Sequence, residues 1–112
     1  MLSHYRIELL SEVNIVSNLH SPAADSLFEA ILSLKTQEEC YSFFEDLCTI
    51  GELQAMIQRF QVAGLLHQGL VYSEVGRLSG ASSATISRVN RCLNYGAGGY
   101  RQVLERSGDG ED

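Results

Sequence analysis

Proline is almost missing from this chain: Pro22 is the only one in 112 residues. Helix interiors are thus free of the residue that most often breaks them, and the single proline marks a boundary at Ser21-Pro22. No apolar run approaches the ~20 residues that span a bilayer. Met1 to His20 lacks a basic start, and Glu8 and Glu12 interrupt its apolar pattern, so no secretory leader is expected and the protein is read as cytoplasmic. Cysteine is sparse. Cys40, Cys48 and Cys92 form no C-x-x-C pair, and His4, His20 and His67 have no ligand spacing, which argues against a disulfide framework, a zinc site or any other metal. Cys40 and Cys48 alternate with Phe44 and Leu47 on apolar faces and read as small core residues. β-branched residues never alternate over a useful length, which excludes strands. No nucleophile with a neighbouring base, no phosphate-cradling loop and no paired metal ligands can be assembled, so neither an enzyme nor a cofactor is expected.

What is present is helical punctuation. After a segment over residues 1–21, read as an N-terminal extension that is an extra helix or an arm, a helix opens at Pro22. It runs to about Lys35 with a wide apolar band of Leu27, Phe28, Ile31, Leu32 and Leu34. Thr36 with Glu39 is a capping box opening a second helix, whose inner face is Cys40, Phe43, Phe44 and Leu47. Thr49 with Glu52 repeats the device and opens a long third helix to about His67. Leu53, Met56, Ile57, Phe60, Ala63 and Gly64 are read as its inward side, and Gly69 ends it. The run Gly96-Ala97-Gly98-Gly99 breaks the chain before a short helix over Tyr100 to Arg106. Residues 107–112 are too polar and glycine-rich to pack and are read as a disordered acidic tail. The expected fold is all-α with six helices, residues 22–106 forming one domain. Helices this short and this apolar point to an intertwined homodimer.

The most specific stretch is Tyr72 to Arg91, which has the spacing of a helix-turn-helix. Val75 and Gly76 lie on a first helix, where the missing side chain of Gly76 is expected to let the helices cross closely. Gly80 takes the sharp turn, Ser82 caps the second helix, and Ile86, Val89 and Leu93 face back into a core. The outward face carries Ser82, Ser83, Ala84, Ser87, Arg88 and Arg91, short side chains that let a helix come close to base edges. Arg77 on the first helix is expected at backbone phosphate, because that helix crosses the groove. For Arg88 three roles stay open: phosphate, guanine, or a brace against an acid such as Glu74.

The net charge of −6 seems to oppose a DNA partner, but its distribution does not. Residues 1–68 carry −6. Residues 69–106 carry +3, from Arg77, Arg88, Arg91, Arg101 and Arg106 against Glu74 and Glu105, and the tail carries −3. The positive potential lies in the proposed reading head and is entirely arginine, which suits planar bonding to phosphate or guanine.

The T-I-G-E opening at Thr49, Arg59 within the long helix and the A-T-I-S-R segment from Ala84 to Arg88 resemble the tryptophan-repressor superfamily. The longer run T-I-S-R-V-N-R-C-L-N-Y-G-A-G-G-Y-R, with F-F-E-D-L-C-T upstream, is similar to its YerC/YecD-type branch, over roughly Leu27 to Arg106. The resemblance implies an intertwined dimer that binds operator DNA as a transcriptional regulator, with Ser82, Ser83, Ala84 and Ser87 in base-edge or water-mediated contacts. It also matches Thr49, Arg59 and Arg88 to an amino-acid effector pocket, the two arginines flanking an indole. Val89, however, stands where the repressor has glycine, and Cys92 where it has a serine that helps hold the ligand. A valine there is read as filling the cavity, so tryptophan is not expected as effector. The G-A-S-S-A-T-I-S-R-V run also resembles the headpiece of lactose-repressor-type regulators, but those carry it at the N-terminus before a large sugar-binding domain.

The leading expectation is therefore a homodimeric, sequence-specific regulator, a repressor, of double-stranded DNA, with no membrane or metal partner. The alternative is a helical protein-interaction module that keeps the helix-turn-helix shape; the acidic total and the wide apolar band at Leu27 to Leu34 favour it.

Overall fold

The computed structural model describes residues 19–111, with the backbone alone for 108–111. All but the last residues of the expected N-terminal extension thus lie outside the described residues. Six helices and no strand are found among them: α1 (Pro22–Leu32), α2 (Gln37–Leu47), α3 (Ile50–His67), α4 (Tyr72–Ser79), α5 (Ser83–Tyr95) and α6 (Gly99–Glu111). Contacts divide the chain into one unit ending at Phe44 and another beginning at Glu45.

In the first unit, Pro22 occupies the opening turn of α1 and the Ser21 hydroxyl accepts the Ala24 N–H at 3.1 Å. The helix stops at Leu32, short of the expected Lys35, because Ser33 closes it with its hydroxyl donating to the Ala30 carbonyl at 2.6 Å. The capping box before α2 is displaced by one residue. Thr36 Oγ1 accepts the Glu39 N–H at 3.0 Å as expected, but the Glu39 carboxylate accepts from the Lys35 N–H at 2.9 Å and not from Thr36 itself. The same orphan-donor chemistry is satisfied one step further out. Phe43 and Phe44 meet edge to face with ring centres 5.5 Å apart. No residue of α1 or α2 is buried. The reading of Cys40 and Cys48 as core residues is therefore corrected: Cys40 is exposed and Cys48 half-buried, because the alternation with Phe44 and Leu47 marks an apolar face without fixing what packs on it.

The second unit has the closed core, built on the C-terminal half of α3. Val62 and Ala63 of α3, Val75 of α4, Ala81 of the turn, and Ile86 and Val89 of α5 form it, with Leu65, Leu66, Leu70, Tyr100 and Leu104 packed around them. Each of the larger ones contributes about 1.5–3 kcal/mol by leaving water. Of the six residues expected inward on α3 only Ala63 is buried. Val62 is fully enclosed in their place, while Ile57 and Phe60 are 57% and 47% exposed. The cause is that α3 is apolar on more than one side, so its periodicity does not say which side meets α4 to α6. At the end of the chain, α6 continues to Glu111 through the stretch read as a disordered tail; once a helix is nucleated, each further residue adds a bond.

Candidate nucleic-acid interface

The helix-turn-helix is wired by backbone and small polar groups. Gly80 has the left-handed conformation, φ 73°, and its N–H donates to the Gly76 carbonyl at 2.9 Å, which ends α4. Ser79 holds the turn from inside: its hydroxyl donates to the Val75 carbonyl at 2.7 Å and accepts the Ala81 N–H at 3.1 Å. Gln58 of α3 donates to the Ser79 carbonyl at 3.3 Å, so an orphan carbonyl at the end of α4 is satisfied from the platform helix. Ser82 caps α5, its oxygen accepting the Thr85 N–H at 3.1 Å, with the Thr85 hydroxyl 3.2 Å away.

The reason given above for Gly76 is corrected. A Cβ there would lie 3.6 Å from Ile86 Cδ1 and 3.7 Å from the Ala81 carbonyl oxygen, ordinary contact distances. The α4–α5 crossing has room for a methyl group, and glycine inside a helix costs about 0.5–1 kcal/mol relative to alanine. Gly76→Ala is expected to leave the free energy of unfolding unchanged or to raise it by up to about 1 kcal/mol, as read from urea melts of the two proteins.

With Ile86, Val89 and Leu93 buried, α5 turns Ser83, Ala84, Ser87, Arg88 and Arg91 outward, and Ser82 and Arg77 are exposed beside them. The structure thus collects all seven sequence-predicted DNA residues on α4, the turn and α5. Arg77 is not free. Its Nε donates to Glu74 Oε2 at 2.7 Å and its Nη2 to Glu74 Oε1 at 2.8 Å, a two-pronged pair within one turn of α4. The hydrogen bond from Arg77 holds the Glu74 carboxyl below the usual glutamate range, and Glu74 in turn raises the guanidinium. A lowered carboxylate pKa means that the pair is present above the ordinary glutamate range and is lost as pH falls through the lowered value. Glu74, the acid named above as an example of a brace for Arg88, is thus engaged by Arg77 instead.

Residues 23–108 match the family model described as Trp repressor protein. The chain belongs to that family. It is 52% identical over 91 residues, 81% of this chain and 88% of the other, to the uncharacterised protein YerC of Bacillus subtilis strain 168. A candidate Trp repressor of Staphylococcus aureus superposes with TM-score 0.80 at 48% identity, covering 84% of this chain and 94% of that one. A TrpR-like protein of Eubacterium eligens gives TM-score 0.79 at 52% identity, over 82% and 95%. Members of the Trp repressor family are regulators that bind DNA, not enzymes. Among the described residues no helix is long and apolar enough to cross a membrane, and no group of three or more His, Cys, Asp or Glu is placed to hold a metal ion.

Thr49 caps α3, its Oγ1 accepting the Glu52 N–H at 3.0 Å while Glu52 accepts the Thr49 N–H at 2.8 Å, the expected reciprocal box. Thr49 lines a cleft of about 480 Å³ with Cys48, Ile50, Leu53 and Ile57, which neither Arg59 nor Arg88 lines. Val89 is enclosed in the core with Val62 and Val75. Cys92 lies in an open apolar groove of about 510 Å³ with Phe60, Tyr100 and Val103.

Sequence reasoning missed the groups that hold the head in place. Asn94 Nδ2 donates to the Asn90 carbonyl at 2.9 Å and to Asn90 Oδ1 at 3.1 Å, and Arg101 of α6 donates to Asn94 Oδ1 at 3.1 Å. The Asn90/Asn94 spacing of four was visible as a helix-surface pair. The Ser79 hydroxyl likewise bonds only to near neighbours, Val75 and Ala81, whereas the partners of Gln58 and Arg101 depend on how α3 meets α4 and α6 meets α5.

Proposed function

We propose that the protein is a homodimeric, sequence-reading DNA regulator that inserts α5 into a major groove and represses by occupying its operator. The observation that supports this is the division of α5: one side closes the core, while toward the end capped by Ser82 the other offers the short side chains of Ser83, Ala84 and Ser87, followed by Arg88 and, further along, Arg91. Ser83, Ala84 and Ser87 are short enough for base edges or bridging water, and Arg88 and Arg91 reach guanine or phosphate. Ser82 acts chiefly as the cap that aims the helix.

Dimerisation is supported by the apolar surface that a single chain leaves open. Leu32 is 83% and Ile50 77% exposed, and α1 and α2 bury nothing. Large apolar side chains left exposed in this way call for a cover, and a second copy supplies it. Two heads then read half-sites roughly 34 Å apart, which compensates for the few bases one short helix contacts. No amino-acid effector is needed on this reading, since the side chain of Val89 is part of the folded core.

The test is a mobility-shift series on promoter fragments, including the one beside the protein's own gene, with and without tryptophan, alongside light scattering of the free protein. Expected are the mass of two chains, preference for particular fragments, binding that weakens steeply with salt, and no dependence on tryptophan. Equal weak binding to every duplex, or the mass of a single chain, defeats the proposal; one stoichiometric protein partner with no DNA shift at low salt selects the interaction module.

A further inference from the structure

Between Tyr72 and Tyr95 there is one carboxylate, Glu74, and three guanidinium groups, Arg77, Arg88 and Arg91. The structure pairs that one acid with Arg77 through two bonds of 2.7 and 2.8 Å, on side chains that remain 41% and 65% exposed. A third of the positive charge of the helix-turn-helix is thereby cancelled at the surface of α4, the helix that crosses the phosphate backbone in this motif. We propose that Glu74 is a built-in phosphate competitor, which occupies the fork of Arg77 in the free protein and lowers the affinity of the head for nucleic-acid backbone irrespective of sequence. The inference rests on the DNA-binding reading above and adds to it a residue that works against binding.

The geometry suits that role. A carboxylate bridging Nε and Nη2 occupies the same planar donors that a phosphate would take side by side. The pair is exposed and joins neighbours within one turn of a helix, so it is weak and an arriving phosphate can displace it. Displacement does not remove the acid, however. Glu74 is fixed in the first turn of α4, so one negative charge stays beside the DNA whether Arg77 is released or kept. Either way the net number of phosphates neutralised by each head is one fewer than its arginines suggest. Because phosphate contacts carry no sequence information, the loss falls on specific and non-specific duplexes alike.

The test is a double-mutant cycle on the full-length protein, read by fluorescence anisotropy with a mixed-sequence 30-base-pair duplex of arbitrary sequence as probe over a range of salt. Glu74→Gln is expected to bind about three- to tenfold more tightly at low salt and to steepen the logarithmic salt dependence by about 0.9 per head. Arg77→Gln alone is expected to weaken binding modestly, because it leaves the Glu74 charge unpaired beside the DNA, and by clearly less than Arg77→Gln weakens the Glu74→Gln protein, in which the freed guanidinium reaches phosphate and the double variant loses the gain. Circular-dichroism melts of each variant show whether α4 is still folded, and Glu74→Ser, which keeps a polar group at the same helix turn, is the second variant should Gln lower stability. The inference is overturned if a folded Glu74 variant binds no more tightly than wild type, or if Arg77→Gln weakens wild type as much as it weakens the Glu74 variant. Those results leave the DNA-binding reading intact. Failure of wild type and Glu74→Gln alike to bind the duplex at low salt overturns both.

Discussion

Val89→Gly is expected to cost about 3–4 kcal/mol, a large share of the roughly 5–15 kcal/mol that hold a small domain folded. Val89 is 1% exposed, enclosed with Val62 and Val75 where α3, α4 and α5 meet. Removing its side chain forfeits about 1.5–3 kcal/mol of apolar burial and leaves a hole in a core with few other residues to collapse into it. Glycine in the middle of α5 adds about 1 kcal/mol of backbone entropy. Val89→Ala removes the methyl groups without that backbone cost and is expected to lose about 2 kcal/mol, so the two variants separate packing from flexibility. Urea melts at matched protein concentration read both, since the stability of the proposed dimer depends on concentration. The variant also bears on the effector. Position 89 is where the family resemblance places glycine, yet here the valine serves the core, so Val89→Gly should loosen the head without creating a useful site. Recovery of the lost stability on adding tryptophan would show instead that the side chain had only been filling a ligand cavity.

The helix-turn-helix was legible because its signals are local. Gly80 needs a left-handed backbone, Ser82 must lie three residues before the Thr85 N–H it caps, and Ile86, Val89 and Leu93 share one face by helical spacing; all depend on residues a few positions apart. The boundary at Ser21-Pro22 and the cap at Thr49 belong to the same class. What resisted reading depends on distant parts of the chain. Both the enclosed Val62 and the exposed Ile57 and Phe60 sit on an α3 that is apolar around most of its girth, and only the arrival of α4, α5 and α6 distinguishes its sides. The Glu74–Arg77 pair lies between. Its spacing of three along α4 is a recognisable helix-surface match, but the same spacing leaves Arg77 free to face DNA, and only the placed atoms show both prongs engaged. Sequence therefore located the outward face of the helix-turn-helix, while the pairing of the charges on it required coordinates.

Replacing Arg88 and Arg91 together by alanine is expected to weaken DNA binding by about 10²- to 10⁴-fold with the fold intact. Both are exposed on the outer side of α5, so their removal opens no cavity, and melting should shift by no more than about 0.5 kcal/mol. The loss has two separable origins. If each arginine neutralises a phosphate, the logarithmic salt slope falls by about 0.9 per residue per head, whatever the sequence. If either grips guanine through two bonds, about 1–3 kcal/mol of discrimination goes with it. Lysine distinguishes them, because it retains the charge but not the planar fork. Arg88→Lys with near-normal affinity and slope would place Arg88 at phosphate; a normal slope with lost preference between fragments would place it at a base. Arg88 follows Ser87 and lies one turn from Ala84, within the short-chained stretch that lets α5 approach the groove floor, whereas Arg91 stands further along the helix, where a groove-bound α5 rises toward the backbone. Arg88→Lys should accordingly lose preference and Arg91→Lys should lose little of either. Full binding by the double alanine variant would show that α5 does not enter the groove at all, and would shift the search for a partner to the apolar surfaces of α1 and α2.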